Sequence, residues 1–256
     1  MEWTLYGLPF AATIMMIIAS HELGHYLTAR RYRIRSSLPM FIPAPFTLLG
    51  TLGAFIIIRS PFPTRRALLD VGLAGPFAGF LVCIPALLIG IAGSRPATGG
   101  AAAEGSFQLG EPLILKAATA LLWPDPTQQD LLLSPVGLAA WFGLLLTAIN
   151  LLPIGQLDGG HAAYALFKDK AHRLSSFAFF ALVPMSLLAP SWLFFALLAY
   201  VLGIRRPHPP TLADGVHLPR SSKVLGVLGL VTFVLCFTPQ PIKISWRMLF
   251  EEFGGG

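Results

Sequence analysis

Charge is scarce in this chain: Asp, Glu, Lys and Arg make up 12% of its 256 residues, against 55% hydrophobic residues. A soluble domain carries about 25% charged residues, so the composition argues against a water-soluble globule and for an integral membrane protein. Cysteine is equally sparse. Cys83 and Cys236 lie far apart within apolar segments, which suggests neither a disulfide framework nor a cysteine zinc site; both read as small buried hydrophobes. No basic region precedes the first apolar run and no small-residue cleavage site is evident, so that run is expected to be a retained span rather than a signal peptide. A concentrated basic domain is also missing. The formal net charge of +6 comes from basic residues scattered in small groups between apolar runs, which argues against a nucleic-acid partner and makes them topology signals.

The polar residues that do occur at membrane depth form a pattern. Within the apolar run around Ile17 to Tyr26 stand His21, Glu22 and His25. On a helix, positions four apart share a face, so both imidazoles reach one metal while Glu22 stands beside them to handle water. Zinc normally takes a third protein ligand and leaves one position open. Asp158 is the candidate. It lies ten residues before Lys168, or about 15 Å if helical, and His21 lies nine residues before Arg30, or about 13 Å. The two half-sites are therefore expected at one depth. Carboxylates placed there cost roughly 2.5–3.5 kcal/mol each on insertion scales unless compensated, and a bound cation compensates both. The plainer reading, two core histidines beside a neutral glutamic acid, accounts less well for this pattern.

The organisation follows from the basic groups. A first span from Gly7 to Ala29 ends at four arginines, Arg30, Arg31, Arg33 and Arg35, which the positive-inside rule puts in the cytoplasm. Residues 36–66 are broken by prolines around an apolar run from Leu48 to Ile58, too short to span as a helix. Such backbone is tolerated at membrane depth only beside protein or a wet cavity, so a re-entrant strand or hairpin beside the metal is expected. A second span, about Ala67 to Gly93, is rich in small residues that allow close helix contact. Asp70 at its inner end reads as solvated or arginine-paired. Residues 94–134 are expected to form an outer loop, too short for an inserted sensing domain. A third span runs from about Pro135 to Pro153, residues 174–204 form either a hairpin of two short helices or one kinked span, and a last span covers about Ser222 to Phe237. On this scheme fourteen Lys and Arg lie inside and two, Arg95 and Lys116, in the outer loop. The fold class expected is therefore an all-α polytopic membrane protein of about six transmembrane helices with a re-entrant β strand or hairpin. It forms a single domain over residues 1–256, with its core at about 7–170 and C-terminal helices at 174–238.

Asn150 reads either as a helix-to-helix hydrogen bond or as a polar group holding substrate backbone. Gly159 and Gly160 suit close packing or a helix break beside the metal, and His161 suits a supporting role. His21-Glu22-Leu23-Gly24-His25, then Gly50-Thr51-Leu52-Gly53, then the segment from Asn150 through Leu157-Asp158-Gly159-Gly160 resemble the site-2 protease family of intramembrane zinc metalloproteases, whose pattern is HExxH, GxxG and NxxPxxxLDG. The likeness runs from about residue 7 to 170. Residues 37–76 and the Asn150–His161 segment are similar to a plastid and cyanobacterial branch that also occurs in other bacteria. The resemblance implies one Zn²⁺ held by His21, His25 and Asp158, with Glu22 as catalytic acid and base and Asn150 near the substrate. It implies a substrate-binding strand containing Gly50, Thr51, Leu52, Gly53, Ala54 and Phe55. The function expected is hydrolysis of peptide bonds in or near transmembrane segments of other membrane proteins, with lipid as the surrounding partner and the site nearer the cytoplasmic face of a bacterial cell membrane. A chaperone or scaffold that binds membrane segments without cutting, and a zinc transporter, are the alternatives.

Overall fold

The computed structural model describes residues 2–43, 51–96, 108–123, 131–201 and 209–243. The first long helix, α1 (Glu2–Arg31), keeps its course past Pro9 and ends on Arg30 and Arg31. Two short strands follow, β1 (Met40–Pro43) and β2 (Thr51–Phe55), and then α2 (Arg65–Ala92). Thr64 caps α2, its side-chain oxygen accepting from the Ala67 N–H, which satisfies one of the donors a helix start leaves open. α1 and α2 run antiparallel in close contact: a Cβ added at Gly24 would lie 2.4 Å from the Ala74 carbonyl oxygen. Only a glycine admits that approach, and the small residues read from the second span are what permit it.

The polypeptide then forms β3 (Arg95–Pro96), α3 (Leu113–Leu122), β4 (Leu131–Leu132) and α4 (Pro135–Asn150). The expected outer loop thus contains a helix and a small strand pair. Leu115 and Ala118 of α3 are buried in the main apolar cluster with Trp141 and Leu144 of α4, and the Trp141 indole N–H donates to the Gly110 carbonyl at 2.7 Å. The Gly, Ala and Pro residues around Leu113–Leu122 disguise its apolar helical stripe. Glu104, Asp125 and Asp130, which fall within that expected outer loop, lie outside the described residues.

Next come α5 (Asp158–Phe167), α6 (Lys170–Leu188), α7 (Ser191–Val201) and α8 (Arg220–Cys236). The 174–204 stretch is two helices, broken at Ala189 and Pro190. They fold back on each other, with the Phe179 and Tyr200 rings stacked 6.4 Å apart. Pro190 lacks the N–H a continuing helix needs, whereas Pro184 is absorbed within α6.

Among the described residues, three helices are long and apolar enough to cross a membrane: Gly7–Arg31, Arg65–Ala92 and Lys170–Leu188. At 16, 11 and 17 residues, α4, α7 and α8 fall short of the usual transmembrane length of about 20. Large apolar side chains face outward, among them Leu81, Phe177 and Leu230 at 66%, 74% and 62% exposure. Helices apolar on their outer faces belong in lipid. The molecule is a mostly helical membrane protein with small antiparallel strand pairs.

One end of this bundle is basic. Arg65 is buried and donates from its three guanidinium nitrogens to the carbonyls of Asp214, Ala165 and Val216 at 3.0, 2.9 and 2.9 Å. That clamp joins the start of α2 to the end of α5 and to the approach to α8. The Asp214 carboxyl closes it. Burial alone would raise its pKa, but hydrogen bonds from the Thr211 hydroxyl and N–H and from Tyr164 hold it below the usual value. The basic groups at 30–35, 59–66, 168–173 and 220–223 therefore share one end, while Arg205 and Arg206 lie outside the described residues.

Candidate metal centre

α1 reaches its partners about two turns before its arginine-rich end. His21 and His25 are buried, at 4% and 7% exposure, and Glu22 beside them at 8%. Opposite, α4 stops at Asn150, and the chain turns through Pro153 to restart as α5 with Asp158 in its first turn. The turn is tight. A Cβ added at Gly159 would lie 2.1 Å from the Leu151 carbonyl oxygen, and one at Gly160 2.3 Å from that of Gly155, so any larger residue at either place displaces Asp158.

The result is a compact donor set. His21 Nε2 and His25 Nε2 lie 3.1 Å apart, and Asp158 Oδ2 lies 3.2 Å from the first and 3.3 Å from the second. Ligands at about 2.0–2.1 Å from a tetrahedral ion stand about 3.4 Å from one another, so the spacing fits one zinc. His25 Nδ1–H donates to the Val71 carbonyl of α2 at 2.8 Å. That bond fixes the tautomer and leaves Nε2 with a lone pair facing the Asp158 carboxylate, the second contact that orients metal-binding histidines. Two electron-rich atoms aimed at each other in a buried site call for a shared cation. Among the described residues this is the only cluster of three His, Cys, Asp or Glu able to hold a metal ion.

Asn150 places its amide nitrogen 3.3 Å from His21 Nε2, at the edge of the same centre. The Glu22 carboxylate has no hydrogen-bond partner among the described residues, as suits a group kept for a proton. His161 takes no part in the donor set and packs toward Phe62, ring centroids 6.3 Å apart. Asp70 is paired, with Arg66 Nε at 3.7 Å and the Tyr32 hydroxyl donating to it.

The segment expected beside the metal is a bent hairpin. β1 and β2 pair antiparallel with Met40 opposite Phe55 and Phe41 opposite Ala54, and the register shifts before Pro43 meets Thr51. Gly53 takes the positive φ of 105° at the bend. The pairing continues through Ser36 and Ile58. Ala54 packs on the α1 cluster of Ile14 and Ile18, so β2 lies along the helix that carries the histidines. Gly50 lies outside the described residues. What motif reading missed is the role of α2: the Val71 carbonyl that holds His25, and Gly75, whose Cβ would fall 2.1 Å from His25 Nε2. The run of small residues there was a signal for close packing, with nothing to say that His25 was what packed.

The sequence profile of peptidase family M50 matches residues 9–190. The chain is 32% identical to the probable zinc metalloprotease EGY1, chloroplastic, of Arabidopsis thaliana over 98% of its own length and 45% of that protein. It is 32% identical to EGY2, chloroplastic, of the same plant over 93% of its length and 43% of that protein. A rice relative, EGY3, chloroplastic, is 29% identical over 67% of the chain and 31% of its own length. The chain thus spans less than half the length of these relatives.

Proposed function

The chain belongs to peptidase family M50, and from that premise we propose that it is an intramembrane zinc metalloprotease cutting peptide bonds within or near the transmembrane segments of other membrane proteins. One observation carries the proposal: two imidazoles and a carboxylate converge within 4.8 Å of one another, with a buried glutamate alongside, and the histidines and the glutamate stand on a helix of membrane-spanning length.

His21, His25 and Asp158 would hold the ion. When bound, zinc supplies a Lewis acid that polarises the scissile carbonyl and acidifies water. The other steps belong to the chain. Glu22 accepts a proton from the attacking water and hands it to the leaving amine. Asn150 offers its amide to the substrate backbone at the edge of the centre. Val71, through His25 Nδ1, keeps the imidazole from turning. A substrate helix hides its peptide groups in its own hydrogen bonds and must be unwound before it is cut. Its freed backbone groups then need partners in an apolar setting, and the edge of β2 not used by β1 supplies them by strand addition. Thr51, Leu52, Gly53, Ala54 and Phe55 are the docking strand in this reading. It sits re-entrant in a six-span arrangement of α1, α2, α4, α6, α7 and α8, with the basic end toward the bacterial cytoplasm.

The test is metal-dependent cleavage of a model single-span substrate by the protein reconstituted in liposomes, with zinc flux followed in parallel. Cleavage that chelation stops and zinc restores supports the proposal. Zinc flux without cleavage would make the centre part of a transport path, and substrate capture without either would make the protein a scaffold.

A further inference from the structure

The basic end of the bundle contains a second feature, separate from the metal centre. Between the last turn of α1 and the first turns of α2 lies a cleft of about 310 Å³, with part of α8 as its third wall. Its mouth carries Arg31, Arg66, Tyr32 and Asp70, and its deeper wall is apolar, formed by Ala74, Phe77 and Leu225. The charges do not balance. Asp70 is already engaged by Arg66 and by the Tyr32 hydroxyl, and Arg31, exposed at the rim, has no acidic partner among the described residues. Two guanidinium groups thus stand against one carboxylate, which only Arg66 engages, leaving a net positive mouth.

The position adds a second constraint. Arg31 ends one membrane-length helix and Arg66 stands in the first turn of another that packs antiparallel to it, so the mouth stands at the edge of the hydrocarbon layer. From Arg66 to Phe77 is eleven residues, about 16 Å along a helix, close to the 15 Å or so of one leaflet of a 30 Å hydrocarbon core. The cleft is cationic where headgroups lie and apolar where acyl chains lie. Guanidinium groups bind phosphate oxygens in paired hydrogen bonds, and a free phosphate would have no use for the apolar wall.

We propose that this cleft is a binding site for one anionic glycerophospholipid, its phosphate between Arg31 and Arg66 and an acyl chain along Ala74, Phe77 and Leu225. The lipid would rest on the helix pair that holds His25, since Val71, which accepts from His25, directly follows Asp70. Binding there ties the geometry of the centre to the lipid composition of the membrane.

Native mass spectrometry of the full chain in detergent tests this, with phosphatidylglycerol and phosphatidylcholine as probes. Wild type should retain one phosphatidylglycerol per chain at least ten times more tightly than phosphatidylcholine. Arg31→Gln alone, a change at an exposed and unpaired side chain, should remove most of that preference, and Arg31→Gln with Arg66→Gln all of it. Arg33→Gln removes the same charge at the same end but outside the cleft, and should leave the preference intact. Glycerol 3-phosphate at the lipid's concentration should not compete. Undiminished retention in the Arg31 variant, an equal loss with Arg33→Gln, or displacement by glycerol 3-phosphate would each overturn the proposal, the last by reducing the site to one for a free anion.

Discussion

Gly75→Ala adds one methyl group to a helix that carries no metal ligand, and the structure says what it meets. The new Cβ would stand 2.1 Å from His25 Nε2 and 2.5 Å from the carbons on either side. Ordinary carbon contacts begin near 3.5 Å, so ring and helix must part by more than about 1 Å. Zinc sites tolerate about 0.2 Å in ligand distance, so the displacement is several times what coordination permits. Nor can the imidazole step aside freely, because its Nδ1–H is bonded to the Val71 carbonyl on the same helix, a bond worth about 1 kcal/mol net. The helix itself gains, since alanine is preferred to glycine in a helix interior by about 1 kcal/mol. We therefore expect Gly75→Ala to fold in detergent while zinc affinity falls at least 100-fold and proteolysis is lost. Gly79→Ala is the internal control. Its Cβ would meet His21 at 3.4 Å, an ordinary contact, and zinc should be retained. Zinc content by atomic absorption against a competing chelator, alongside thermal unfolding, reads both. Wild-type affinity in Gly75→Ala would refute the claim that α2 sets the position of His25.

Glu22→Gln keeps the shape of the side chain but cannot take a proton, so peptide cleavage should drop by at least 100-fold with zinc still stoichiometric, whereas His21→Ala and Asp158→Ala should lose both; a metal-free Gln variant would remove Glu22 from its role as base. Ala54→Pro deletes a backbone donor from β2 without touching a ligand, and it should abolish cleavage of a transmembrane substrate while zinc content stays at the wild-type level. Full activity in that variant, properly folded, would leave the hairpin as a mere connector.

The metal half-sites were legible because their signals are local. HExxH fixes a shared helix face, and the similar spacing of His21 from Arg30 (nine residues) and of Asp158 from Lys168 (ten residues) pointed to a meeting of the two. The first two long helices were legible as runs of apolar residue ended by Arg30 and Arg65. The helix at Leu113–Leu122 was not, because it stabilises itself on α4 and its flanks carry the composition of a loop. The hairpin of α6 and α7 stood as one of two readings, since composition cannot say whether a proline kinks a span or ends it; Pro184 lies inside α6, and the break comes at Pro190. Val71 was beyond reach for a plainer reason. A carbonyl that accepts from a ligand is backbone, and any residue type could have provided it.

The same packing bears on what the metal does for stability. α1 and α5, which bring the histidines and the aspartate, pack mainly on α2 and barely on each other. α2 therefore aligns both halves before any ion arrives: His25 through Val71 and Gly75, and the first turn of α5 through Gly72, where an added Cβ would lie 3.4 Å from the Asp158 carbonyl oxygen. A zinc finger has no such scaffold and unfolds without metal. Here the ion closes a site already formed, so its contribution is ordinary ligand linkage, about 2.7 kcal/mol at a hundredfold excess over Kd. Chelation should accordingly lower the unfolding temperature by several degrees and leave helix content in circular dichroism unchanged below it. An apo protein that has lost its helices at room temperature would show that the centre is assembled by the metal and that α2 holds nothing in place.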